Sequence, residues 1–248
     1  MNPDQWHQRY QQQARWTASI RAYLFKRLSV CSTDQILEVG VGTGAVLSDL
    51  LEDHPFKPYG VDISHAGLKF SVEKNPAFSL VQADGIRLPF KASTFQHAFC
   101  HYLLIWVKDP LQILGEMRRV IQPGGFVIAL AEPDHAARID YPPPLDELGK
   151  FQTRALQEQG VDSTLGRSLR GCFVKSGLRE IEAGILGAQW SAVQSQPDET
   201  EWMVLRTDLE PWLPKEKLAE YRRFDQEAYQ NAVRVLFIPT FYAIGRVP

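Results

Sequence analysis

Three acids and a glycine cluster fall at spacings that suit a ligand carrying a nucleoside. The stretch Glu38-Val39-Gly40-Val41-Gly42-Thr43-Gly44-Ala45 closes a short apolar run and opens a helix-like one. Glycines there allow positive φ and leave the backbone bare for close approach, and the helix N-terminus adds unpaired N–H donors. Asp62 follows Gly40 by 22 residues, where a carboxylate accepts from both hydroxyls of a ribose. The same residue equally suits the N-cap of a helix that starts near Ser64. Asp84, in VQADGIRLPF, stands where the exocyclic amine of an adenine would donate. Gly40-x-Gly42-x-x-Ala45 also satisfies the relaxed dinucleotide fingerprint, so a nicotinamide cofactor has to be weighed. Glu38 argues against it: a carboxylate beside the turn repels a pyrophosphate and attracts an ammonium. The acid set therefore favours a cationic amino-acid nucleoside.

The elements that must hold these residues follow from periodicity. Trp6, Tyr10, Trp16, Ile20, Leu24 and Leu28 recur mostly at fours, which predicts one or two amphipathic helices over 5–30. Apolar, β-branched runs predict strands at 35–39, 59–63, 78–83, 95–102 and 125–131, most of them separated by helical stretches. That alternation implies right-handed crossovers and an α/β, doubly wound, mainly parallel sheet. After Ala131 the proline run of EPDHAARIDYPPP predicts an ordered connection over a sheet edge. Helices are expected around 145–160 and 166–176, then strands at 179–186 and 236–247 around a helical insertion, 199–234.

Composition bounds the partners. The 248 residues carry 27 Lys plus Arg against 29 Asp plus Glu, a net charge of −2, so no strong field recommends a nucleic acid. Three scattered cysteines, Cys31, Cys100 and Cys172, form neither a disulfide framework nor a paired-cysteine zinc site. The N-terminus lacks the apolar core of a secretory signal, and no apolar run approaches the ~20 residues of a membrane span. A cytoplasmic protein is expected.

The blocks ILEVGVGTG, YGVDIS, ADGIRLPFKASTFQHAFCHYLLIWVKDP and LGEMRRVIQPGGFVIALAEPD, in that order over 35–134, resemble the class I S-adenosylmethionine-dependent methyltransferases. The small-molecule branch similar to ubiquinone and menaquinone methyltransferases is the nearest in look. The resemblance implies a Rossmann-like seven-stranded sheet with an antiparallel last strand, in a single domain over 1–248. Residues 1–30 would form an N-terminal helical cover, 31–134 the cofactor-binding core, and 135–248 the substrate-cover helices and last two strands. It implies that Glu38, Gly40, Gly42 and Gly44 line the methionine part of S-adenosyl-L-methionine. Asp62 would hold the ribose, Ile63 would pack on the adenine, and Asp84, Gly85 and Ile86 would take the adenine edge. Cys100 and His101 would pass beneath the sulfonium. The family often has a His pair where this chain has Ile105-Trp106, which speaks against a histidine mechanism there.

Methyl transfer is an in-line displacement that gains most from alignment and exclusion of water. If the small acceptor must lose a proton, His101 is the first candidate base and His135 the second. His97 and His101 are four apart, but a strand there turns Cys100 and His101 to opposite faces, and no metal site is predicted. Arg15 is placed to pair the cofactor carboxylate, a solvated helix arginine being the competing reading. Tyr10, Trp16, Tyr102, Trp106 and Tyr141 form the pool for an aromatic wall around the cation and acceptor, against the alternative of core packing. Trp202, Trp212, Phe224 and Tyr229 are expected to bury the helical cap. The expected function is methyl transfer to a small organic acceptor. A nicotinamide-dependent oxidoreductase, another reaction on the same scaffold and a non-catalytic binding protein are its rivals. The acceptor, the atom methylated and the oligomeric state are not legible at this level.

Overall fold

A computed structural model describes residues 2–187 and 199–248. The N-terminal periodicity resolves into two helices, α1 (Pro3–Trp16) and α2 (Ala18–Leu28). A capping box opens α1: Asn2 Oδ1 accepts from Gln5 N, and Gln5 Oε1 accepts from Asn2 N, both at 2.9 Å. Thr17 leaves helical geometry between the two.

The strand and helix alternation then runs as expected: β1 (Gln35–Val39), α3 (Ala45–Asp53), β2 (Lys57–Asp62), α4 (His65–Lys74), β3 (Ser79–Gln82), β4 (Phe95–Cys100), α5 (Pro110–Val120) and β5 (Ile121–Pro133). The second half contains β6 (Ile139–Tyr141), α6 (Leu145–Glu158), α7 (Leu165–Lys175), β7 (Arg179–Leu186), α8 (Glu199–Leu209), α9 (Lys215–Gln230), β8 (Val235–Phe237) and β9 (Thr240–Arg246). Seven strands form one sheet in the order β3-β2-β1-β4-β5-β9-β7. The pairs among β1 to β5 are parallel, while β9 runs antiparallel to both β5 and β7.

Alternation along the strands sends side chains to two cores. Leu37, Val39, Ala98, Val127 and Ala129 meet Ile113 and Met117 of α5 and Leu169 and Phe173 of α7. Ile36, Phe99, Ile128 and Ile244 on the other face meet Leu24 and Phe25 of α2 and Leu47 and Leu50 of α3. A third cluster, with Leu145, Leu148, Trp202, Leu205, Leu218 and Tyr221, joins α6, α8 and α9 into the cap expected of the insertion.

Two expectations change. The strand expected at 236–247 is divided: β8 and β9 are separated by Ile238 and Pro239, and β8 pairs antiparallel with β6 in a second, two-stranded sheet. Pro239 has no N–H for a ladder, and the three prolines that follow Tyr141 leave only Ile139–Tyr141 free to pair. The strand expected over 95–102 ends at Cys100, so His101 and Tyr102 leave the sheet, Tyr102 with φ of 52°.

Candidate active site

The glycine turn sits at the carboxyl ends of β1 and β2, the usual place for a ligand in an open parallel sheet. Gly40 N and Val41 N both donate to Val61 O, at 2.8 and 3.1 Å. Gly42, at φ of 51°, adopts a conformation that a side chain disfavours, and its N donates to Asp62 Oδ2 at 2.7 Å. Asp62 Oδ1 accepts from Ser64 N at 2.8 Å, while the N-cap of α4 is Ser64, whose Oγ accepts from Gly67 N. Asp62 is therefore not the helix cap. It ties the turn to β2 and keeps a lone pair on each oxygen for an outside donor.

Glu38 is 2% exposed and its Oε2 has no hydrogen-bond partner. Burial, and then the charge of Asp62, hold its carboxyl well above the usual range, with Arg21 pulling the other way. It is a buried acceptor without a partner beside a bare-backbone turn, a chemistry that suits a charged N–H donor. The ring of Tyr10 covers the turn so closely that a Cβ on Gly42 would lie 3.1 Å from its Cε2. Trp6 stacks on Tyr10 with centroids 5.6 Å apart. Burial and the nearby Asp62 raise the Tyr10 phenol.

These groups open into a cavity of about 850 Å³ whose lining includes Tyr10, Trp16, Glu38, Gly40, Gly42, Asp62, His101, Tyr102, Trp106 and His135. Other expected residues do not line it. Gly44 faces the other way: a Cβ there would meet Ser71 Oγ at 2.3 Å and Phe78 at 2.9 Å, so its glycine is required by packing against α4. Cys100 is fully buried in the core, its Sγ 3.9 Å from Glu132 Oε1, because strand alternation turns it away from the cavity. Arg15 is exposed on the outer face of α1. Tyr141 is 52% exposed on the edge strand β6. Ile63, Asp84, Gly85 and Ile86 stand at the open ends of β2 and β3, where Asp84 Oδ1 accepts from Ile86 N at 3.1 Å.

Both histidines read as candidate bases line the cavity. His101 lines the cavity, yet its Nε2 lies 3.1 Å from Thr17 Oγ1, and burial with Arg21 nearby pushes its pKa down to about 3. His135 is taken down to about 4 by burial and then Arg138, and its Nδ1 is buried without a partner. Rings this weakly basic are poor proton acceptors near neutrality.

Three features had no assignment from sequence. Glu132, fully buried at the end of β5, accepts from Leu103 N and Leu104 N through Oε1 and from Ile105 N through Oε2, at 3.2, 3.0 and 3.1 Å. It thereby holds the turn that presents Tyr102, Leu103, Ile105 and Trp106. Burial raises its pKa to about 7, against the pull of those N–H donors. Arg9, 9% exposed, lines the cavity, donates to Gln12 Oε1 at 2.8 Å, forms an ion pair with Glu201 and lies 4.9 Å from the centroid of Trp16. The spacing of Trp6, Arg9, Tyr10, Gln13 and Trp16 on one helix face carried that signal, since it repeats at threes and fours. Gln152 of α6 and Asp208 of α8 complete a polar wall far from the turn; nothing local marks them.

Residues 37–129 match the sequence family described as a methyltransferase domain. The matched stretch runs from within β1 to within β5. An uncharacterised methyltransferase of Schizosaccharomyces pombe is 30% identical over 155 residues, 57% of this chain and 55% of that protein. A demethylmenaquinone methyltransferase of Oceanobacillus iheyensis is 26% identical over 185 residues, 66% of this chain and 77% of that protein. The chain spans about half the length of the first curated relatives it matches, 55% and 52%. Among solved structures, phosphoethanolamine N-methyltransferase 2 of Haemonchus contortus, in complex with S-adenosyl-L-methionine, superposes with a TM-score of 0.60 at 14% identity. The match covers 93% of this chain and 52% of that one. This likeness is one of fold. The matched residues include the glycine turn, Glu38 and Asp62, while α1, α6, α8 and α9, which help wall the cavity, lie outside them.

Proposed function

We propose that the protein transfers a methyl group from S-adenosyl-L-methionine to a small organic acceptor. The observation that carries this reading is the orphan Glu38 Oε2, buried beside Asp62 at a glycine turn that opens into a large cavity. Glu38 would receive the ammonium of the cofactor, Asp62 its ribose hydroxyls, and the bare backbone of Gly40 and Gly42 would allow its close approach. The turn Asp84–Ile86, with Ile63, would take the adenine at the open rim. When bound, the cofactor supplies an electrophilic methyl group on a positively charged sulfur.

The chain itself contributes alignment and exclusion of water. Tyr10 and Trp6 cover the turn, and Glu132 sets the loop that carries Tyr102, Leu103 and Trp106. With His101 and His135 neutral and weakly basic, positioning supplies the rate in this reading, and no base is assigned. We infer a single domain over 1–248 that works in the cytoplasm. All three cysteines are free, as a reducing compartment requires, and no helix among the described residues is long and apolar enough to cross a membrane.

Calorimetric titration with S-adenosylmethionine, S-adenosylhomocysteine and NAD tests the reading. The first two should bind saturably and NAD should not, since its pyrophosphate would face Glu38. Saturable binding of NAD alone overturns it.

A further inference from the structure

The cavity extends past the glycine turn into a lobe walled by α6, α8, α9 and the residues around β8. Its volume lies toward the upper end of what single ligands occupy, about 300–1,000 Å³, which leaves room for a second molecule beside a nucleoside. This lobe rests on the methyl-transfer reading for its role, and its charges say what it would hold.

Three guanidiniums line it, and each is matched. Arg9 pairs with Glu201. Arg138 pairs with Asp140, and Arg234 reaches Asp140 at 2.7 Å and Asp225 at 2.6 Å. Against these three stand four carboxylates, and the fourth is Asp208. It accepts from Gln152 Nε2 at 3.1 Å and Gln159 Nε2 at 3.4 Å, and has no ion pair with a basic side chain among the described residues. Burial raises its carboxyl, with the two amides and the more distant Arg9 acting in the other direction. His135, which also lines the cavity, is neutral near pH 7. Trp16, Trp106 and Trp202 add ring surface.

An unmatched carboxylate in a partly desolvated lobe with aromatic walls attracts a cation and disfavours an anion. We propose that the acceptor is an amine on an apolar body, with its nitrogen held by Asp208. Asp208 would bind the ammonium form and then accept an N–H bond from the free amine once its proton has passed to water. In the transfer the nitrogen lone pair forms the bond to the methyl carbon and the carbon–sulfur pair stays on sulfur. Because the free amine must still donate an N–H to Asp208, the acceptor is a primary or secondary amine, and the methylated product leaves as an ammonium or gives its second proton to water.

Two probes with the same aromatic body separate the charges: tryptamine and indole-3-propionate, titrated by calorimetry with and without S-adenosylhomocysteine. Tryptamine should bind at least about tenfold more tightly. Asp208→Asn should bring the two within about threefold, and Asp208→Glu should keep the preference. Thermal denaturation checks that both variants fold. Equal binding, tighter binding of the propionate, a preference that survives Asp208→Asn, or no saturable binding of tryptamine overturns the assignment. The homocysteine arm is separate: a chain that prefers the amine and ignores S-adenosylhomocysteine keeps the Asp208 site and loses the methyl-transfer reading.

Discussion

Asp62 Oδ2 accepts from Gly42 N at 2.7 Å, so the carboxylate at the end of β2 also fixes the shape of the glycine turn after β1. One side chain thus closes the turn and lines the cavity, and in the proposed reading it also receives the ribose. Asp62→Ala should weaken S-adenosylhomocysteine by about 1–3 kcal/mol, the scale for leaving polar groups without their partner. Asp62→Asn should weaken it less if its Oδ1 still accepts from Gly42. Calorimetry on both variants reads this directly, and an unchanged affinity in Asp62→Ala removes the residue from the site.

Glu38 should show a trade between stability and binding. Its carboxyl is buried with one oxygen unpaired, and burial and Asp62 oppose its ionisation, so Glu38→Gln, which cannot ionise, should leave the ligand-free protein at least as stable in urea. The same change removes the partner of the ammonium and should weaken the cofactor by about 1.5–3 kcal/mol. A variant that loses stability and keeps its affinity would show that Glu38 serves the fold alone.

Glu132→Gln preserves size but turns an amide N–H₂ toward backbone donors that now point at an oxygen. A cost of about 1–3 kcal/mol is expected, measured by thermal denaturation, together with weaker cofactor binding as Leu103 shifts over Gly40. The wild-type carboxyl has its pKa raised to about 7. Its protonation therefore favours the fold fully below the unfolded value near 4.5, and that contribution is lost as pH rises through 7. The variant should lack this component of the pH profile.

Three histidines act in the opposite sense. His97 and His135 are lowered to about 4 and His101 to about 3, burial being the first cause of each. Above pH 6.5 they are neutral in both states. As pH falls from 6.5 toward 4, the unfolded chain takes up protons that the folded one refuses, so stability declines through that window. Urea denaturation at several pH values should show the decline, and His97→Gln should flatten part of it.

The glycine turn, Asp62 and Glu38 were legible in the sequence because their requirements are local. A turn with positive φ needs glycine within a few residues of a strand, and strand and helix periods declare themselves over short windows. The order of β1 to β5, the cap and the antiparallel late strand were legible for the same reason, or through the family resemblance. Gly44 was misread because the same residue type serves a ligand or a neighbouring helix, and only the approach of Ser71 and Phe78 decides which. Cys100 was misplaced although alternation along β4 had already turned it away from its neighbour.

By itself the sequence determined the class of fold and the half of the cavity built on the glycine turn, since both are set by neighbours along the chain. The tertiary structure decided the other half. It turned Arg9 into the cavity and left Arg15 exposed, brought Gln152 and Asp208 to one wall, and buried His101 beside Thr17. Each of those outcomes depends on how α1 is rotated when its face packs with α6 and α8, which follow it by more than a hundred residues, and on how much water that packing removes.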